Sequence, residues 1–235
     1  GGVLLVYTAV VLILGIIFEA KTHKVERHFF TKPKVKESSI PINQVCLEQG
    51  WTNCLSKLDI HADVCFYGNS ITQISDFQQD FPWVTVVNLG VGGNSLDDLF
   101  RRIPMVQAVH PKSVFVMGGI NGLLNITMDS FEVKYTRLVQ ALCDSLPSTK
   151  IVLQSMLPIN HNRYGDYGNN LKISSCNALI EKIANKFECE YVDLFSLYIH
   201  DGEMPDSLTQ DGIHLLPKYY DRWATCIRPM VEEFR

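Results

Sequence analysis

Five short β-branched or aromatic runs recur along this chain with helix-length stretches between them, and that alternation restricts the fold more than any other feature. The runs are Val64-Cys65-Phe66, Val84 to Leu89, Ser113 to Met117, Lys150 to Leu157 and Glu190 to Leu194. Short continuous apolar runs of this kind fit strands buried on both faces. The intervening stretches carry helix signals. Asn43 to Leu58 leads in. Ser95 is an expected N-cap with Asp98 three residues on, and the stretch after Asp129 repeats the pattern with Glu132. That second helix places Phe131, Tyr135, Leu138, Val139, Leu142 and Leu146 on one face. Asn169 to Phe187 and Pro217 to Phe234 complete the set, with Pro217 suited to a first helical turn. Strands alternating with helices give an α/β fold: a parallel sheet covered on both sides.

The chain has 235 residues, of which 46% are hydrophobic and 20% charged. That composition supports one substantial core, in a domain of about 170 to 190 residues. A net charge of −4 and a pI near 6.0 offer no basic face, so no nucleic-acid partner is expected. The seven cysteines contain no CxxC pair and no Cys/His cluster at zinc spacing, and they read mostly as small core residues. Cys46 and Cys54 are the pair a bridge would use in an oxidising compartment.

Residues 1–20 differ from the rest. Val3 to Phe18 carries no charge and is followed by Lys21, Lys24 and Arg27. The run falls short of the usual span of about 20 residues and fits a signal-anchor or the apolar core of a signal peptide. A buried core helix is the alternative reading. The expectation is a membrane tether through residues 3–18 and a place in the cell envelope, anchored or secreted; the downstream basic residues by themselves favour a cytoplasmic C-terminal side. Residues 21–42 are charge-rich, hold Pro33 and Pro41 and lack periodicity, as a linker does, which leaves 43–235 for the domain.

In a parallel sheet, ligands gather beyond the C-terminal strand ends. Gly68-Asn69-Ser70 follows the first strand, Gly92-Gly93-Asn94 the second and Gly119-Ile120-Asn121 the third, while Asp211-Gly212-Ile213-His214 precedes the last helix. All four collect on one rim. A serine hydroxyl needs an imidazole to take its proton, and a carboxylate to fix the imidazole's tautomer. Asp211 and His214, three residues apart, fit one turn. A backbone N–H at Gly93, the Asn121 amide and Ser70's own N–H are suitable donors for a tetrahedral oxyanion. Taken singly, each piece has an ordinary reading as a turn, a cap or a surface pair. Other signatures fail: Ser95 stands where a dinucleotide loop needs its third glycine, no Gly-Lys-Ser/Thr follows for a P-loop, and Thr72 occupies the second glycine of G-x-S-x-G.

From about His61 to the end, these four blocks resemble the SGNH, or GDSL-type, hydrolases in order and spacing. The resemblance implies a flavodoxin-like, three-layer α/β/α sandwich around a five-stranded parallel sheet. It implies Ser70 as nucleophile, Asp211 and His214 as the rest of a triad, and Ser70, Gly93 and Asn121 as an oxyanion hole. It also implies no metal or organic cofactor, and carboxylic or thio-esters of lipids or acetylated sugars as substrates; a small-molecule or carbohydrate ester is the expected partner. Asn69, Tyr164 and Tyr167 are candidate pocket residues. Two positions depart from the family pattern, Asn69 and Gly122, where Asp is usual in each case, and tuned rather than abolished activity is expected. A fold that kept its shape as a binding or scaffolding module is the competing expectation.

Overall fold

The computed structural model describes residues 44–165 and 169–235, with the side chains of 44–48 excepted. The tether, the linker and Tyr167 lie outside the described residues. Among the described residues, no helix is long and apolar enough to cross a membrane.

All five expected strands are present: β1 (Val64–Gly68), β2 (Val86–Gly90), β3 (Ser113–Met117), β4 (Lys150–Gln154) and β5 (Glu190–Val192). They pair in parallel in the order β2-β1-β3-β4-β5. β1 and β3 are buried along their whole length, which is why their sequences read as unbroken apolar runs. The chain leaves β1 for β2 on one side and then crosses to β3 on the other, so the loops after β1 and β3 diverge and open a crevice above the sheet.

Ten helices follow in chain order: α1 (Gln44–Leu58), α2 (Ser70–Gln73), α3 (Phe77–Asp80), α4 (Leu96–Arg101), α5 (Ile103–Gln107), α6 (Met128–Ser145), α7 (His161–Tyr164), α8 (Asn170–Lys186), α9 (Phe195–Tyr198) and α10 (Tyr220–Glu232), counted among the described residues. On one face α4 and α5 pack against α6, and α6 against α8. On the other, α10 packs on α3. There Phe77 stacks on Phe66 at 4.0 Å between centroids and meets Trp223 edge-on at 5.1 Å, with Tyr220 stacked on Trp223 at 5.8 Å. Such aromatic pairs add about 0.5–1.5 kcal/mol each beyond the area they bury. The result is the expected three-layer α/β/α sandwich.

Local details refine the sequence reading. The capping box at Ser95 and Asp98 is present, with both reciprocal bonds formed. Helix α6 starts two residues earlier than expected: Thr127, not Asp129, is its N-cap, and its hydroxyl accepts from the Ser130 N–H. A β-branched Thr in extended backbone offers the same acceptor as Asp, so the pattern alone does not choose between them. Pro217 opens a 3-10 turn, Pro217–Tyr219, and the α-helix begins only at Tyr220. Cys46 and Cys54 share α1, where eight residues of rise separate them by about 12 Å, too far for a disulfide; Cys54 is a free thiol. β2 is an edge strand, and side chains take its amides: Gln78 Oε1 accepts from the Val86 N–H at 3.0 Å, and Asn88 Oδ1 from the Gly90 N–H at 2.8 Å.

Candidate active site

Ser70 owes its position to a sharp exit from the central strand. Asn69 follows β1 in extended backbone and caps α2, its Oδ1 accepting from the Ile71 N–H at 3.0 Å. Ser70 is therefore the first residue of a one-turn helix set directly on the sheet. The fit is tight enough that a Cβ on Gly90 would stand 2.3 Å from the Gln73 nitrogen, so only glycine lets β2 and α2 approach. Polar groups tie the helix from several sides. Tyr220 Oη donates to the Ile71 carbonyl at 2.7 Å, and Asn88 Nδ2 donates to the carbonyls of Thr72 at 2.8 Å and Ser75 at 3.0 Å. Arg102, 1% exposed, donates from Nη2 to the Gly68 carbonyl at 3.1 Å and from Nη1 to the Leu89 carbonyl at 3.0 Å. One guanidinium thus links the ends of β1 and β2, and hydrogen bonds from a charged donor are the strong kind.

Asp211 and His214 stand on a loop. The Asp211 Oδ1 accepts from the backbone N–H groups of Ile213 at 3.1 Å and His214 at 2.9 Å, while Oδ2 lies 2.5 Å from His214 Nδ1. His214 Nε2 lies 2.8 Å from Ser70 Oγ. A carboxylate beside Nδ1 keeps the proton there, which leaves the Nε2 lone pair facing the serine hydroxyl. Burial pushes the Asp211 carboxyl up, but the hydrogen bonds from the His214 ring and from the His214 and Ile213 amides outweigh it and hold it at about 2. It is thus anionic wherever a neutral imidazole can work as a base.

A second loop braces the first. Gly212 has φ +91, and a Cβ there would lie 2.5 Å from the Tyr164 nitrogen and 2.8 Å from the Asn160 carbonyl oxygen. The Asn160 N–H donates to the Gly212 carbonyl at 2.8 Å, and Thr209 Oγ1 accepts from the Gly212 N–H at 2.9 Å. Asn160 Nδ2 in turn holds the Met204 carbonyl and Asp206 Oδ1, and Arg163 reaches Asp206 and the Gln210 carbonyl.

The third wall comes from the loops after β2 and β3. The Gly92 N–H donates to Gln73 Oε1 at 2.8 Å, and a Cβ on Gly92 would sit 3.8 Å from Ser70 Cβ, so this loop borders the serine. Gly93 follows with φ +75. Asn121 Nδ2 donates to the Asn94 carbonyl at 2.9 Å, which joins the two loops. Beside Asn121 lies a cavity of about 280 Å³ in which Ser95, Asp97, Asn125 and Lys134 stand over Leu96 and Phe131. Lys134 and Asp97 form an ion pair there. Of the candidate pocket residues, Asn69 is 1% exposed and faces the interior as a helix cap rather than an open pocket. Tyr164 packs against the core and braces Gly212 through its backbone.

A model of the GDSL-like lipase/acylhydrolase family matches residues 66–222, well over half of the chain. The chain belongs to that family. Membership makes ester hydrolysis the class of reaction to expect of this GDSL-like acylhydrolase. Solved structures share its fold. A protein assigned as a platelet activating factor from Streptococcus pneumonia is 21% identical with a TM-score of 0.70, covering 80% of this chain and 95% of that one. A protein assigned as an acylhydrolase from Bacteroides fragilis is 20% identical with a TM-score of 0.69, covering 82% and 99%. The acetyl xylan esterase AlAXEase is 24% identical with a TM-score of 0.60, covering 72% and 98%. No curated protein sequence matches the chain. Among the described residues of this GDSL-like chain, no group of three His, Cys, Asp or Glu side chains is placed to hold a metal ion. Arg102, Tyr220 and Asn160 were not legible as site residues: Arg102 sits beside Arg101 like one more solvent-facing charge, and Asn160 reads as an ordinary loop residue.

Proposed function

We propose that the protein is a serine esterase that works through an acyl-enzyme on Ser70. The observation that carries the proposal is the unbroken hydrogen-bonded chain from Ser70 Oγ through His214 to Asp211, at 2.8 and 2.5 Å. His214 Nε2 takes the Oγ proton as Oγ attacks the ester carbonyl carbon, and Asp211 stabilises the resulting imidazolium. The oxyanion is received by the N–H groups of Ser70 and Gly93 and by the Asn121 N–H not engaged with Asn94. Collapse of the tetrahedral species expels the alcohol, which leaves with the proton from Nε2. Water then attacks the acyl-serine, again deprotonated by His214, and the acid is released.

A small acyl group on a carbohydrate is the substrate we favour. The cavity beside Asn121 is in keeping with it, because Ser95, Asn121 and Asn125 on its lining can pair with hydroxyls. Likeness to a fold that also serves an acetyl xylan esterase is in keeping with it. The reading includes a tether through residues 3–18, which rests on sequence alone and is checked by membrane fractionation of the full chain.

The domain is expected to hydrolyse p-nitrophenyl acetate, faster than the butyryl and octanoyl esters, and to be labelled by a fluorophosphonate at Ser70. A wild-type domain with neither turnover nor labelling would sink the enzyme reading and favour a binding module.

A further inference from the structure

The end of the sheet opposite Ser70 carries a pair of cysteines that the ester chemistry does not use. Cys143 lies in the last turn of α6, and Cys189 in the turn between α8 and β5, where the Cys189 N–H donates to the Ala184 carbonyl at 2.9 Å. Far apart in sequence, the two thiols are near enough for each to bias the other's ionisation, and the Cys189 thiol also donates to the Phe187 carbonyl at 3.7 Å. Both line one cavity of about 240 Å³, over the start of β4. Neither is bonded, and both are partly exposed, unlike Cys65 and Cys176 at 0%. Neighbouring free thiols that share a solvent-facing cavity have the access that thiol–disulfide exchange requires.

We propose that Cys143 and Cys189 form a dithiol site that closes to a disulfide, stapling α6 to the turn that feeds β5. With glutathione disulfide as oxidant, the Cys143 thiolate attacks one glutathione sulfur and a glutathione thiolate leaves. Cys189 then attacks the Cys143 sulfur of the mixed disulfide, and the second glutathione leaves. The protein loses two electrons and two protons, and the glutathione disulfide gains them as two thiols. Cys143 is the first attacker because the Cys189 S–H donates to its thiolate, partly offsetting the burial that raises both thiols; Cys189 is pushed up to about 12. Closure is therefore slow near neutral pH and faster in alkali. Thiols that ionise reluctantly are also poor leaving groups, so the closed bond resists reduction and acts as a structural staple.

The test uses the full chain, reduced and then incubated with glutathione disulfide at about pH 9. Two free thiols should disappear on titration under denaturing conditions. Proteolytic mapping should yield one cross-linked pair of peptides containing Cys143 and Cys189. The melting temperature should rise by about 5 °C, since a long loop of the unfolded chain is closed, with esterase turnover unchanged within twofold. Cys143→Ser and Cys189→Ser should each abolish the cross-link and the rise. Thiols that stay free, separate glutathione adducts on the two cysteines, or a cross-link joining other cysteines would overturn the proposal. The wild-type map decides even if a variant fails to fold, and it is read without any esterase assay.

Discussion

Ser70 stands on regular structure, whereas Asp211 and His214 stand on a loop, and the two halves of the site are held by different means. The serine corner is a strand end and a helix start pressed together at Gly90, with a buried arginine, a tyrosine hydroxyl and an asparagine amide fixing their carbonyls. Its geometry follows from the core. The acid–base corner is anchored to the core only through Ile213 and Leu215 on either side of His214: the Asp211 side chain is half exposed, and its position comes from local amide donors and from the loop around Asn160. Disturbing the first corner should cost stability as well as rate, while disturbing the second should cost rate first.

The largest effect tests whether the two corners act as one machine. Ser70→Ala and His214→Ala are each expected to lower kcat for p-nitrophenyl acetate by several orders of magnitude, and the double variant by no more than either alone. Losses that multiply would mean the corners work separately. Next comes Gly212→Ala, which forces a side chain against Tyr164 and Asn160 at positive φ. We expect kcat to fall about 10- to 100-fold with KM little changed, because displacement of roughly an ångström costs that much in a reacting pair. A loss of folding instead would show that the brace belongs to the core.

Acid stability gives a smaller effect. The Asp211 carboxyl is held at about 2 against an ordinary 3.8, so its contribution is fully present above about pH 4 and is lost as pH falls through about 2. Half exposure and screening limit it to about 1 kcal/mol or less. Chemical denaturation across that window should show the loss in wild type and not in Asp211→Asn. Smallest of all is Asn69→Asp: the Oδ1 that caps Ile71 is kept, so turnover should stay within about threefold. A larger change would mean that the buried amide at this position, whose Nδ2 meets no partner among the described residues, tunes the serine.

Much of the frame was legible because buried parallel strands write themselves as unbroken apolar runs, and β1, β3 and β4 sit inside the sheet. The capping box at Ser95 was legible for a similar reason, since all its partners lie within three residues. The nearness of Ser70, Asp211 and His214 followed from the rule that ligands gather at strand ends. The supports were not legible. Arg102 reaches Gly68 across 34 positions and Tyr220 reaches Ile71 across 149, so nothing local marks either residue. The cap at Thr127 was displaced because two acceptors compete within three residues, and the Cys46–Cys54 pairing failed because spacing along a chain says nothing of distance until the helix is known.

The side chains that serve β2 have a consequence for the protein in concentrated solution. A terminal strand with bare amides is a template on which another chain can add a strand of its own. Here Gln78 and Asn88 fill the donor positions at Val86 and Gly90, so a second copy arriving at this border finds hydrogen-bonding partners already taken and must displace them to dock. The same asparagine also anchors the helix that carries Ser70, which links resistance to aggregation and the placement of the serine in one residue.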